Sequence, residues 1–120
     1  MTPLPILCLI LALSNAAPAL AHPRVISASP ARGAVLKTSP AQVRVGFSEV
    51  LEADVSILQL KDAAGRPVRT GKMAADPRDR QALVLPRPTR LAPGRYTVEW
   101  DVVSEDHASV PGRYRFEIRP

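Results

Sequence analysis

Tyr96-Thr97-Val98-Glu99-Trp100-Asp101-Val102 is the stretch from which the fold can be read. Tyr96, Val98, Trp100 and Val102 fall at every second position, opposite Thr97, Glu99 and Asp101. Successive side chains of an extended chain point to opposite faces, so this alternation describes a strand with one buried side. Gln42-Val43-Arg44-Val45-Gly46-Phe47-Ser48 repeats the pattern, with Val43, Val45 and Phe47 on one face and Arg44 on the other. So do Tyr114, Phe116 and Ile118 opposite Arg113, Arg115, Glu117 and Arg119. Trp100 lies on the apolar face of the strongest strand, which reads as core and not as a ligand platform.

Weaker strands are expected at Val25 to Ala28, Val55 to Lys61, Pro67 to Arg69 and Gln81 to Leu85. Asp62-Ala63-Ala64-Gly65, Asp76-Pro77 and Ala92-Pro93-Gly94 supply turn chemistry between them. Prolines at 30, 40, 67, 77, 86, 88, 93 and 111 cut residues 22–120 into pieces too short for a long amphipathic helix. Short strands at this spacing, with no internal repeat and no linker, predict an all-β chain folded as one small antiparallel β-sandwich.

Upstream of Val25 the pattern changes. Leu4 to Leu13 is almost wholly apolar and leads to Ala17-Pro18-Ala19-Leu20-Ala21, with small residues at the −3 and −1 positions of a cut after Ala21. That is the layout of a secretory signal peptide, although Met1 to Pro5 carries no Lys or Arg. The apolar run is shorter than the ~20 residues a spanning helix needs, so the mature protein is expected to be exported and not membrane-spanning. The organisation read here is a signal peptide at 1–21 and one domain at 22–120. Cys8 falls in the discarded segment, which leaves a mature chain without cysteine, and therefore without disulfide or thiolate metal site.

All charged residues follow Ala21, so the mature chain keeps the formal net charge of +5. Its basic residues are scattered singly and aromatics make up 4% of the chain. A nucleic-acid surface needs a basic block interleaved with stacking aromatics, and neither is present. No nucleic-acid partner is expected.

Without thiols, the chemistry rests on two histidines, eleven carboxylates, hydroxyls and the new amino terminus. There is no G-x-S-x-G, no His-Glu-x-x-His and no phosphate-cradling glycine loop. A catalytic triad needs an oxyanion hole and separated partners, for which so small a domain has little room. Cleavage after Ala21 would give His22 a free α-amine, and that nitrogen with ring Nδ1 closes a six-membered chelate on one metal ion. Two nitrogens in one residue suit the tetragonal preference of copper(II), which heads the divalent affinity order. Pro23 has no N–H to surrender to the metal, so further ligands must come from elsewhere in the fold. Asp106 and His107, in Ser104-Glu105-Asp106-His107 after the strong strand, are the candidates.

The mature chain resembles the periplasmic copper-resistance protein C (CopC) family. The resemblance is carried by His22-Pro23, Ser27-Ala28-Ser29-Pro30-Ala31-Arg32-Gly33, Val45-Gly46-Phe47-Ser48-Glu49, the run Ala92 to Trp100, Val102-Val103-Ser104-Glu105-Asp106 and Gly112-Arg113-Tyr114-Arg115-Phe116. It implies a Greek-key, Ig-like β-sandwich in the periplasm that binds copper(II) without catalysing a reaction. Such a protein stores copper, or hands it to another carrier or to an inner-membrane transporter of the CopD type. The implied metal ligands are His22, through amine and ring, and Asp106, with a second histidine in the loop before the last strand. The family pattern there is Asp-x-His, whereas this chain reads Asp106-His107-Ala108, so Ala108 takes the usual ligand position and His107 is displaced by one. In a strand that shift would turn the ring to the opposite face. Met73 is the sole methionine of the mature chain, which excludes a methionine-rich copper(I) site. Glu49 reads as a solvent-facing residue at a strand end. Two rival functions use the same features: a copper monooxygenase acting on polysaccharide through the terminal histidine, and a metal-free Ig-like interaction module. The chain is expected to be a monomer.

Overall fold

The structure, a computed structural model, describes residues 2–3, 22–86, 90–107 and 109–120. The expected signal peptide, apart from Thr2 and Pro3, lies outside the described residues together with Cys8, and so does Ala108. Eight strands follow in chain order: β1 Val25–Ser29, β2 Val35–Leu36, β3 Gln42–Phe47, β4 Ile57–Lys61, β5 Ala74–Asp76, β6 Asp79–Pro86, β7 Gly94–Val103 and β8 Ser109–Ile118. They form two four-stranded sheets, ordered β1-β3-β6-β5 and β2-β8-β7-β4. The chain crosses between sheets after each of the first four strands, which staples one to the other.

The three alternating segments are β3, β7 and β8, and their apolar faces meet between the sheets. Val43, Val45 and Phe47 face Val98, Trp100, Val102, Tyr114, Phe116 and Ile118 across a core completed by Leu51, Leu58, Leu60, Leu83, Leu85 and Leu91. Each large apolar side chain removed from water contributes on the order of 1.5–3 kcal/mol. Trp100 is core as expected, edge-on to Phe47 at 5.8 Å and tilted against Tyr114 at 5.9 Å. Opposite it in the β7–β8 register stands Gly112. A Cβ there would come within 2.5 Å of the indole, so the ring is seated on bare backbone.

Two tyrosine hydroxyls hold the ends of the sandwich, and Tyr114 links β8 of one sheet to the turn after β1 of the other. Tyr96 donates to the Ala92 carbonyl at 2.5 Å, the tyrosine-corner arrangement of β-sandwiches, and buried Tyr114 donates to the Pro30 carbonyl at 2.7 Å. Burial pushes the Tyr114 hydroxyl up to about 12. On the outer face of the first sheet Arg44 reaches over β6 to Asp76 at 3.0 Å and Asp79 at 3.1 Å. Asp76 also accepts the Arg78 N–H, and these two donors, the backbone one foremost, hold its carboxyl below the usual range.

The structure departs from the sequence expectations in four places. Pro67 to Arg69 is not a strand, because Pro67 makes only a single bridge to Lys61. The segment expected from Val55 starts at Ile57, since Ala53–Val55 is a 3-10 turn closed by the Ser56 hydroxyl donating to the Glu52 carbonyl. β2 and β5 were not anticipated, being two and three residues long. The sandwich is also not wholly antiparallel, because β2 runs parallel to β8.

Candidate metal site at the open end of the sandwich

Residues 48–52, which lead out of β3, act as a strut between the amino terminus and the loop after β7. On one flank, the Ser48 N–H donates to the Arg24 carbonyl at 2.8 Å, and the Arg24 N–H donates to Ser48 Oγ at 2.9 Å. Pro23 is buried just before this double clasp, while His22 beyond it is exposed. The chain is thus anchored up to Pro23 and presents His22 to solvent. On the other flank, Glu105 N–H donates to the Val50 carbonyl at 3.2 Å, Glu52 N–H to the Val103 carbonyl at 2.7 Å, and Leu51 bridges Ser104. The strut itself is held from β6, through Leu51 N–H to the Arg80 carbonyl and Gln81 Nε2 to the Ser48 carbonyl.

These ties put His22 and Asp106 at the same end of the molecule. Ser48 and Val50 are two residues apart, as are His22 and Arg24, and two residues span at most roughly 7 Å. Asp106 is one residue beyond the Glu105 tie. The terminal chain and the loop are therefore tied to the same short strut, one on each flank.

The loop is a four-residue turn, Ser104 to His107, closed by His107 N–H donating to the Ser104 carbonyl at 2.8 Å. Ser104 is 2% exposed, and its hydroxyl donates to Asp106 Oδ1. Asp106 and His107 are exposed. His107 has φ of 66°, a left-handed conformation that a non-glycine residue adopts at a cost. It lies outside both flanking strands, so the strand alternation that would turn a displaced ring to the far face does not apply to it. The exposed pair Arg80 to Glu105, at 3.5 Å, adds little, as solvent-facing ion pairs do.

Of the residues expected to bind metal, the structure ties the segments that carry His22 and Asp106 to opposite flanks of one strut and does not converge the side chains of His22, Asp106 and His107. Among the described residues no three His, Cys, Asp or Glu side chains are grouped to hold a metal ion. The chemistry of the set still fits copper(II): amine and imidazole nitrogens, a carboxylate and a second imidazole, with all three side chains on exposed residues and the carboxylate hydrogen-bonded by a buried hydroxyl. Glu49, half-buried, follows Ser48 in the strut. Sequence reasoning missed Ser48 and Ser104. The signal available for Ser104 was its place two residues before an aspartate, the spacing of a local side-chain turn.

Every aromatic side chain of the protein, Phe47, Tyr96, Trp100, Tyr114 and Phe116, is buried. No ring is available at the surface to stack on a sugar. Met73 is packed against the core. No helix among the described residues is long and apolar enough to cross a membrane.

The chain is similar to known proteins over most of its length. The family model described as the CopC domain matches residues 25–119. Protein YobA of Escherichia coli K12 is 30% identical over 99 residues, spanning 82% of this chain and 80% of YobA. Copper resistance protein C of Xanthomonas campestris pv. juglandis is 28% identical over 108 residues, 86% of this chain and 84% of that protein. The crystal structure of CopC from Methylosinus trichosporium OB3b superposes with a TM-score of 0.76 at 30% identity, covering 82% of this chain and 95% of that one.

Proposed function

The chain belongs to the CopC family, and on that premise we propose that it is a copper-binding protein of copper resistance and homeostasis that works as a carrier and not as a catalyst. Its cargo is copper(II), held by the α-amine and ring of His22, by Asp106 and by His107. Removal of residues 1–21 on export to the periplasm generates the amine, so processing and metal binding are one event. Loaded protein stores the ion or passes it to another carrier or a CopD-type inner-membrane transporter. The observation that carries this reading is the strut at 48–52, whose backbone bonds gather Arg24 on one flank and Glu105 on the other.

Two nitrogens from His22 leave positions on copper(II) that Pro23, lacking an N–H, does not fill. The Asp106 loop, tied to the other flank of the strut, supplies the remaining ligands in this reading. The amine, with an ordinary pKa near ~8, must lose its proton to bind. Acid should therefore release the ion. The burial of every aromatic ring speaks against polysaccharide oxidation, since the surface lacks the flat platform such a substrate needs.

The test is a copper(II) titration of protein beginning at His22 against protein bearing one extra residue before it. The extension turns the amine into an amide and leaves the fold intact. Marked loss of affinity in the extended form is expected, and equal binding by both would refute the site.

A further inference from the structure

We propose that Ser104 is the positioning residue of the copper site: its hydroxyl sets the Asp106 carboxylate and thereby the affinity and geometry with which copper(II) is held. The proposal rests on the copper-site reading above and adds a residue that does not touch the metal.

Ser104 closes β7 at a point where the backbone is fixed on several sides. It bridges Leu51, accepts the His107 N–H at 2.8 Å and precedes Glu105, whose N–H is bound by the Val50 carbonyl. The residue is 2% exposed, yet it presents its hydroxyl to a carboxylate on an exposed residue. A hydrogen bond from a donor one carbon away from anchored backbone restricts the rotamers of an exposed aspartate. Serine has the shortest side chain able to donate, so the donor inherits the rigidity of the strand end. The backbone contacts of Ser104 would all survive in alanine. What alanine removes is the hydroxyl, and the hydroxyl serves Asp106.

A ligand oriented before the ion arrives needs no reorganisation on binding, which is why groups that hold metal ligands by hydrogen bonds typically alter affinity 10- to 100-fold when deleted. The same hydrogen bond biases which way the carboxylate faces, so its loss should also change the ligand field.

The experiment is a double-mutant cycle of Ser104→Ala, Asp106→Ala and the double variant, each in protein beginning at His22. Copper(II) affinity is read by competition with a chelator, the ligand field by visible absorption and electron paramagnetic resonance, and folding by thermal unfolding without metal. S104A is expected to lower affinity about 10- to 100-fold and to shift the spectrum, while unfolding close to the wild-type temperature. In the Asp106→Ala background the Ser104 substitution should have no further effect. Wild-type affinity and spectrum in S104A, or a loss that persists undiminished without Asp106, would overturn the proposal. Ser104→Gly, which also lacks the hydroxyl and adds no metal-binding group, keeps the test open should alanine fail to fold. Its affinity must also fall, and wild-type binding there overturns the proposal equally. The terminal-extension titration separates this outcome from failure of the copper site itself, since that reading fails only if the extended protein binds like the mature one.

Discussion

Replacing Tyr114 with phenylalanine should weaken the fold at neutral pH and at the same time remove part of its sensitivity to alkali. The Tyr114 hydroxyl is buried and donates to the Pro30 carbonyl at 2.7 Å, joining β8 to the turn after β1. Y114F leaves that carbonyl, on a buried proline, without its donor, a loss of about 1–3 kcal/mol. The alkaline effect follows from the same burial. A tyrosine in the unfolded chain loses its proton near 10.0, whereas in the fold Tyr114 keeps it until about 12. Below pH 10 both states hold the proton and the group contributes no pH dependence. Between about pH 10 and 12 only the folded state binds it, so stability falls as pH rises, by roughly 2–3 kcal/mol in all at ~1.4 kcal/mol per pH unit. Tyr96, also raised chiefly by burial, keeps its own share in both proteins. Urea unfolding at pH 8 and at pH 11, compared between wild type and Y114F, measures both effects. The variant should be less stable at pH 8, and its deficit should narrow at pH 11. A variant as stable as wild type at pH 8, or one whose deficit is the same at both pH values, would refute the reasoning.

On the acid side, Asp76 carries stability that is present above the ordinary aspartate pKa and lost as pH falls through its depressed value. Asp76→Asn should therefore flatten the decline of stability below about pH 4, which unfolding curves between pH 5 and pH 2 will show. His107→Gly and His107→Ala both remove the ring, but only glycine is at ease at φ of 66°. The glycine variant should be more stable than the alanine variant by about 1 kcal/mol while matching its copper affinity, and equal unfolding temperatures would exclude backbone strain at this turn. Gly112→Ala forces a methyl against the Trp100 ring and should cost about 1–3 kcal/mol as overpacking, with a change in tryptophan fluorescence as its signature.

The long strands were legible because a strand with one buried face writes its period into the sequence, and β3, β7 and β8 each carry three or more alternating large side chains. β2 and β5 had too few residues to show a period. Pro111 reads locally as a break, yet β8 runs through it. At that point β2, which pairs only with Glu117 and Ile118, no longer flanks the strand, and an open edge tolerates a residue with no N–H to donate. The proposed copper ligands could be named from the sequence because the chain has two histidines, one at the expected cut and one beside an aspartate. The ties between their segments were not legible, since those through Ser48, Val50 and Leu51 are backbone bonds between segments far apart in sequence. Ser104 was invisible for another reason: a serine reads as solvated loop until the burial around it is known.

The strut has a consequence for the molecule as a whole. His22 precedes the edge strand of one sheet and Asp106 follows a central strand of the other, so an ion shared by the two would clasp the layers together and turn almost the entire mature chain into a closed ring. Links that close long loops restrict the unfolded chain most, and an ion bound only by the folded form adds about 4 kcal/mol when present at a thousand times its dissociation constant. The susceptibility of the protein to unfolding and to proteases would then track the free copper around it, and the empty carrier would be the one marked for turnover.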